Sequence, residues 1–268
     1  MKGNLVKEFK ELLDIIRKLR SKDGCPWDRA QNEESLIPYF IEEVYEVIDA
    51  IDKNDYELLK KELGDVMLHV GFQLILAEEK NKFTAEESLK SIIKKMKTRH
   101  PHVFGDKEFS SQKKLLNFWE KQKLVEGRKK LLDGIPETLP SLHKALRIQE
   151  KVATVGFEWE NVVDVEAKID EEITELKEAM KTNNKNEIED EFGDLLFTLV
   201  NISRYIKVNP DEALRKSTNK FLQRFNKLEN YFNDKGIEIN DVNLDDLEKI
   251  WGKVKEEGKI SRKDAPIR

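Results

Sequence analysis

Residues 40–74 read FIEEVYEVIDAIDKNDYELLKKELGDVMLHVGFQL, and this stretch is the most informative part of the chain about its fold. Its apolar residues recur every three or four positions, which is the spacing of one face of an α-helix. They form two runs on either side of a short polar segment at residues 53–55, and helices joined by so short a connection pack antiparallel. The stretch therefore predicts a helical hairpin with buried apolar stripes. The stripes comprise Phe40, Val44, Val47 and Ile51 in the first helix and Leu59, Leu63, Val66, Val70 and Leu74 in the second.

Acidic residues border both stripes. Glu43 and Glu46 are three positions apart, as are Glu62 and Asp65, so each pair shares one helix face. Across an antiparallel hairpin the two pairs can face one another. Four clustered carboxylates repel unless a cation neutralises them, and oxygen ligands suit Mg²⁺ or Mn²⁺. The pattern predicts a divalent-metal site that bridges protein carboxylates to the phosphates of a phosphoanhydride substrate.

The acidic motif occurs twice in the chain. Its second copy lies 129 positions after the first, and all the intervening length agrees without a gap. Glu171, Glu172, Glu175, Glu191, Gly193 and Asp194 repeat Glu42, Glu43, Glu46, Glu62, Gly64 and Asp65. Chance explains such a match poorly, so we infer a duplication. The repeated mid-helix glycine is costly in a helix, and a close approach of another helix would account for it.

The segment around Pro136 and Pro140 separates the two copies. We expect an N-terminal helical domain at residues 1–125, a linker at 126–140 and a C-terminal helical domain at 141–268. Glycine and proline are otherwise sparse, and no useful alternating strand pattern is present. The predicted fold class is all-α, with tandem duplicated helical-bundle domains.

Composition excludes several classes of protein. Of 268 residues, 38% are charged and 38% hydrophobic, and the mean hydropathy is −0.66, which is unlike both a disordered and a membrane protein. The N-terminus lacks the apolar core of a signal peptide, and the single cysteine, Cys25, indicates a reducing cytoplasm. The net charge of −5 argues against a dedicated nucleic-acid binder, although a small anionic ligand needs only a local basic cluster.

A di-iron carboxylate bundle is the sharper alternative for the acidic motif. Such a bundle uses Glu-x-x-His pairs on facing helices, and none of the four histidines stands three positions after a motif glutamate. His69 follows Asp65 by four positions, but its counterpart in the second copy is Thr198. We therefore interpret His69 as a structural or supporting residue of the first copy.

At these residues the sequence resembles the MazG family of nucleoside triphosphate pyrophosphohydrolases, in its two-domain bacterial form. The family pattern is Glu-Glu-x-x-Glu followed by Glu-x-x-Asp. Further matching stretches are GCPWD at 24–28, RHPHVF at 99–104 and VGFEW at 155–159. The resemblance implies the all-α fold of the NTP pyrophosphohydrolases, Mg²⁺ dependence and hydrolysis of NTPs to NMP and pyrophosphate. It also implies a homodimer with a housekeeping role against modified or surplus nucleotides.

The resemblance also implies roles for individual residues. The implied metal ligands are Glu172, Glu175, Glu191 and Asp194 in the second copy, and Glu43, Glu46, Glu62 and Asp65 in the first. Glu171 and Glu42 would complete the motif, either by supporting the metal ligands from outside the site or by positioning the attacking water. The implied substrate contacts are Lys168, Lys220, Arg224 and Trp251, and the looser parts of the repeat add Arg99 and Lys121.

Two other functions fit the same residues: hydrolysis of a guanosine alarmone, and non-catalytic nucleotide sensing by a helical regulator. The sequence specifies neither the preferred base and sugar nor whether water attacks the α or the β phosphorus. It does predict inequality between the copies. Lys168 stands one turn before Glu172, whereas Tyr39 holds the equivalent place in the first copy. We therefore expect the second copy to carry most of the hydrolysis.

Overall fold

The structure is a computed structural model that describes residues 5–111, 114–115, 118–119, 122 and 130–263, with side chains described to residue 256. The described residues form α-helices, one short 3₁₀ helix and connecting turns, with no β-strand among them. The all-α prediction is confirmed. None of the helices in the described ranges combines the length and the apolar composition that a membrane crossing requires.

The first of two compact units comprises residues 1–110. Its helices are α1 Leu5–Arg20, α2 Pro26–Ala30, α3 Ile37–Lys53, α4 Tyr56–Glu79, α5 Ala85–Arg99 and α6 Pro101–Phe104. Helices α3 and α4 form the predicted hairpin, and α1 packs on α4. The core lies where the C-terminal half of α4 meets α1. It contains Leu13, Ile16, Leu36, Phe72, Leu74, Ile75, Leu76 and Ala85.

The second unit comprises residues 111–268. Its helices are α7 Ser141–Ala153, α8 Val162–Thr182, α9 Lys185–Tyr205, α10 Pro210–Asn233 and α11 Leu244–Lys263, with a 3₁₀ helix at Ile239–Asp241. Helices α8 and α9 form the second hairpin, and α7 packs on both α9 and α10. Helices α10 and α11 pack on each other around Leu228, Phe232, Ile250 and Val254.

The same turn closes both hairpins. Helix α3 is followed by its C-cap Asn54 in the left-handed region with φ 53°, and the Asp55 carboxylate accepts hydrogen bonds from two backbone N–H groups of α4. Helix α8 is followed by its C-cap Asn183 with φ 55°, and the Asn184 side chain caps α9. Asparagine tolerates the left-handed conformation, and Asp and Asn are strong N-caps. The turn residues therefore fix where each acidic helix ends and the next begins.

Part of the predicted linker is fastened to the second unit. The buried Lys151 ammonium on α7 donates to the backbone carbonyls of Leu131 at 2.9 Å and Asp133 at 2.8 Å. The bounds 1–125, 126–140 and 141–268 stay predictions.

The predicted stripes are only partly buried, which corrects the sequence analysis. Leu74 lies in the core, but Leu63 and Val70 are 43% and 38% exposed, and Val44 and Ile51 are also exposed. In the described part of the chain α4 packs mainly on α3 and α1, and the hairpin leaves one apolar face exposed. The exposed stripe consists of Leu63, Met67 and Val70 and of their counterparts Phe192, Leu196 and Leu199, all of them exposed.

Candidate metal centres

The first carboxylate cluster joins the two helices of the first hairpin. Glu43 and Glu46 on α3 and Glu62 on α4 each present an oxygen within 4.8 Å of the others. Glu62 is 1% exposed, and its Oε1 accepts a hydrogen bond from the Lys61 ammonium at 3.0 Å. Its Oε2 is buried without a partner. A buried acceptor without a donor is unfavourable, so the cluster has the form of a cation site.

The second carboxylate cluster repeats this arrangement. Glu172 and Glu175 on α8 and Glu191 on α9 present oxygens within 4.8 Å of one another. Glu172 is 4% exposed. The Lys168 ammonium lies 2.9 Å from Glu172, 2.8 Å from Glu171 and 4.0 Å from Glu175. Each cluster therefore brings together three of the four predicted metal ligands, and one lysine ammonium lies next to them.

The fourth predicted ligand of each set lies beside its cluster. The Asp65 carboxylate is 3.7 Å from the Lys61 ammonium, and its charge acts on Glu43. Asp194 is exposed, and its charge acts on Glu191. Neither aspartate belongs to the groups within 4.8 Å in the described part of the chain.

Burial and the repulsion between neighbouring carboxylates shift several carboxyl pKa values of the clusters upward. Burial raises the pKa of Glu43, and the neighbouring Asp65 and Glu46 charges add to that rise. The close Glu62 carboxylate raises the pKa of Glu46. Burial, followed by the Glu175 charge, raises the pKa of Glu191. A bound dication would oppose each of these shifts, because it stabilises the ionised carboxylates.

The two clusters take their lysine from different helices of the hairpin: the second helix in the first cluster, and the first helix in the second cluster. Lys61 lies on α4, where the second copy has Asp190, and Lys168 lies on α8, where the first copy has Tyr39. Hydrogen bonds to clustered carboxylates raise both lysine pKa values. Sequence reasoning missed Lys61, although a basic residue directly before Glu62 was a visible signal.

His69 flanks the first cluster. Its Nε2 lies 4.0 Å from Glu43 Oε1, and its ring stacks on Phe40 with centroids 5.9 Å apart and planes 10° apart. Burial lowers the pKa of the imidazole. The ring is therefore held next to the carboxylates.

Comparison with known proteins assigns the family. The sequence profile of the MazG nucleotide pyrophosphohydrolase domain matches residues 31–104 and 163–228. A nucleoside triphosphate pyrophosphohydrolase/pyrophosphatase MazG of Thermotoga maritima is 45% identical over 92% of this chain and 95% of its own length. This chain belongs to the MazG family of nucleotide pyrophosphohydrolases.

Two further relatives are similar to this chain over most of its length. A nucleoside triphosphate pyrophosphohydrolase of Escherichia coli K12 is 37% identical over 92% of this chain and 97% of its own length. The protein YabN of Bacillus subtilis is 41% identical over 94% of this chain but only 52% of its own length. The family, its enzyme class and the tandem arrangement predicted from the sequence are confirmed, since each MazG match contains one carboxylate cluster.

The predicted substrate contacts of the second MazG domain lie on two helix pairs. Lys168 lies in the cluster itself. Lys220 and Arg224 lie on α10 and Trp251 on α11, and the Phe221 ring lies 5.1 Å from Trp251 between centroids. Phe225 stacks on Phe221 at 6.0 Å, and the Lys255 ammonium lies 5.5 Å from the Trp251 ring centre. Sequence reasoning missed the two phenylalanines, whose i, i+4 spacing was visible.

The remaining predicted residues are dispersed. Glu42 is exposed on α3, and Glu171 is exposed on α8 while it accepts from Lys168. Arg99 is the last residue of α5. Lys121 falls outside the described residues.

Proposed function

We propose that this MazG chain hydrolyses nucleoside triphosphates to nucleoside monophosphates and pyrophosphate with Mg²⁺ held at its carboxylate clusters. One observation carries the proposal. Glu62 and Glu172 are almost fully buried carboxylates, and each belongs to a three-carboxylate cluster that spans two helices. Buried charges need compensation. One lysine ammonium against three carboxylates leaves room for a dication.

The donor set fits a hard cation. All the clustered groups are carboxylate oxygens, which are the ligands of Mg²⁺ and of its common substitute Mn²⁺. When bound, Mg²⁺ would orient the triphosphate, activate a water and neutralise charge on the departing pyrophosphate. The residues proposed to hold it are Glu172, Glu175, Glu191 and Asp194 in one domain and Glu43, Glu46, Glu62 and Asp65 in the other.

The lysines and the outer glutamates have proposed roles towards substrate. Lys168 and Lys61 neutralise their clusters in the absence of metal, and a cation bound there would free each ammonium to hold a phosphate oxygen. Glu171, whose side chain is 56% exposed, and its counterpart Glu42 would accept a hydrogen bond from the attacking water. In the second domain the Trp251 and Phe221 rings would stack on the base, and Lys220 and Arg224 would hold phosphate oxygens.

We further propose a homodimer in which the exposed stripe of each hairpin packs on that of a second copy. Apolar residues at i, i+4 and i+7 make one continuous face on α4 and again on α9. A Cβ added at Gly64 or Gly193 would meet nothing within 4 Å. No contact among the described residues therefore calls for these helix-weakening glycines, and a second copy would supply the close approach expected from the sequence.

We place the reaction in the cytoplasm, where it would remove modified or surplus nucleotides. The predicted dominance of the second domain now has weaker support, because Lys61 supplies the first cluster with a cation that the sequence comparison overlooked. It rests on Lys220, Arg224 and Trp251 alone. Comparing the variants Glu43→Gln/Glu46→Gln and Glu172→Gln/Glu175→Gln tests it, with the greater loss of turnover expected in the second.

The decisive assay for the reaction is ³¹P NMR of the products from a panel of NTPs, with Mg²⁺ and with a chelator. The expected products are NMP and pyrophosphate in equal amounts, only with metal. Nucleoside diphosphate and phosphate would contradict the proposal. Turnover of a guanosine tetraphosphate alone would favour an alarmone hydrolase, and nucleotide binding without turnover would favour a regulator.

A further inference from the structure

We propose that His69 is an imidazole ligand of the first cluster, which therefore binds nitrogen-preferring transition dications such as Co²⁺ or Zn²⁺ more tightly than the second cluster does. The inference rests on the proposed function, which assigns the carboxylates to a metal. It replaces the structural or supporting role that the sequence suggested for this histidine.

The separation of the two groups supports coordination rather than a direct hydrogen bond. His69 Nε2 and Glu43 Oε1 are 4.0 Å apart, which is beyond hydrogen-bond range. Two ligands of one dication each lie about 2.0–2.2 Å from it, so they are separated by at most about 4.4 Å, and a separation near 4 Å places them on nearly opposite sides of the ion. The imidazole nitrogen and the carboxylate oxygen are therefore spaced as two ligands of one ion can be.

The ring is held in place and free to present a lone pair. It stacks on Phe40, and its side chain is only 12% exposed. Its Nδ1 is buried and has no hydrogen-bond partner in the described part of the chain. With the proton on Nδ1, Nε2 presents its lone pair towards the carboxylates. Asp65 stands one turn earlier on the same helix face. The buried Glu62 Oε2, which has no hydrogen-bond partner, independently indicates that this cluster takes a cation.

The second cluster provides an internal control. Thr198 occupies the position of His69 and is 5% exposed. Its hydroxyl offers no nitrogen, so the second cluster presents carboxylates alone. Imidazole suits Zn²⁺ and related transition ions, whereas carboxylates suit Mg²⁺ and Mn²⁺. The duplication thus yields one oxygen-only cluster and one with a nitrogen donor at its edge.

The test separates the clusters and measures metal binding directly. Full-length Glu172→Gln/Glu175→Gln retains the first cluster and is called the first-cluster protein. Full-length Glu43→Gln/Glu46→Gln retains the second and is called the second-cluster protein. Each is titrated with Co²⁺ and with Mg²⁺ by calorimetry, alone and with His69→Thr. We expect His69→Thr to weaken Co²⁺ binding by about 10- to 100-fold in the first-cluster protein. Mg²⁺ affinity should change by much less.

Proton NMR of the Co²⁺-loaded first-cluster protein gives a second readout. We expect a strongly shifted, exchangeable imidazole N–H signal that disappears in His69→Thr and in His69→Asn. Two variants are used because either one could perturb folding, which circular dichroism monitors.

The inference would be overturned if both His69 variants bound Co²⁺ as tightly as the protein that keeps His69, and if that protein showed no shifted imidazole signal. The metal site itself would then remain supported. If neither ion binds the first-cluster protein, this inference and the first metal site both fail. The second-cluster protein then reports separately whether the proposed function survives.

Discussion

Replacement of Glu62 by glutamine should stabilise the metal-free protein and remove most of its stabilisation by Mg²⁺. Glu62 is 1% exposed, and its Oε2 has no donor. An unsatisfied buried acceptor costs about 1–3 kcal/mol. The glutamine amide keeps the shape, accepts from Lys61 through its oxygen and donates from its nitrogen to the Glu46 carboxylate. We therefore expect the free energy of unfolding of the metal-free protein to rise by about 1–3 kcal/mol.

In the native protein, Mg²⁺ at 100 times its dissociation constant should raise the free energy of unfolding by about 2.7 kcal/mol. The Glu62→Gln variant should lose most of that stabilisation. Thermal unfolding in chelator and in excess Mg²⁺ measures both effects. Glu57→Gln is the matched control, because its side chain is 86% exposed on the same helix. Glu191→Gln should shift only the transition of the other unit. A metal-free Glu62→Gln protein that is less stable than the native one, or a stabilisation by Mg²⁺ that is undiminished in the variant, would contradict the role of Glu62 as an uncompensated metal ligand.

Three further predictions follow from the same geometry. Lys168→Gln should lower kcat/KM by about 10- to 100-fold when the first cluster is disabled, since a charge-assisted hydrogen bond is worth about 1.5–3 kcal/mol; Lys61→Gln should do the same with the second disabled. Leu63→Lys should shift the sedimentation coefficient towards that of a monomer, and an unchanged value would exclude the stripe as the interface. The raised pKa values of Glu43 and Glu191 mean that the folded state holds protons more tightly than the unfolded state. The contribution of these two groups to metal-free stability should therefore fall as the pH rises through the carboxyl range, opposite to that of Glu33, Glu78 and Glu87, whose pKa values are lowered. Mg²⁺ should weaken that fall, and thermal melts of the native protein and of Glu43→Gln/Glu191→Gln over this pH range check the sign.

Much of this architecture follows from local rules. Helical periodicity predicted α3 and α4, and the turn at Asn54 and Asp55 follows from the intrinsic preferences of these two residues. The three-residue spacing of Glu43 and Glu46 fixed a common face for both carboxylates. A gapless duplication then carried each conclusion to the second domain.

Other features depend on packing that a linear pattern does not specify. The exposure of Leu63 and Val70 reflects how many helices surround α4 within one unit, and their spacing says nothing about that number. Lys61 reaches its cluster because its long side chain bends towards Glu62, which depends on rotamers. Phe221 and Trp251 lie on two helices that are separated in sequence by a turn and a 3₁₀ helix, so their contact depends on how those helices pack.

The rate of pyrophosphate release from NTPs by a variant with both clusters disabled shows whether the carboxylate clusters carry out the catalysis. The variant carries Glu→Gln changes at positions 43, 46, 172 and 175, and circular dichroism must show that its helices are retained. Because metal catalysis contributes several kcal/mol, we predict a loss of more than about 100-fold. A folded variant that keeps more than about a tenth of the native rate would contradict the assignment of catalysis to the carboxylate clusters.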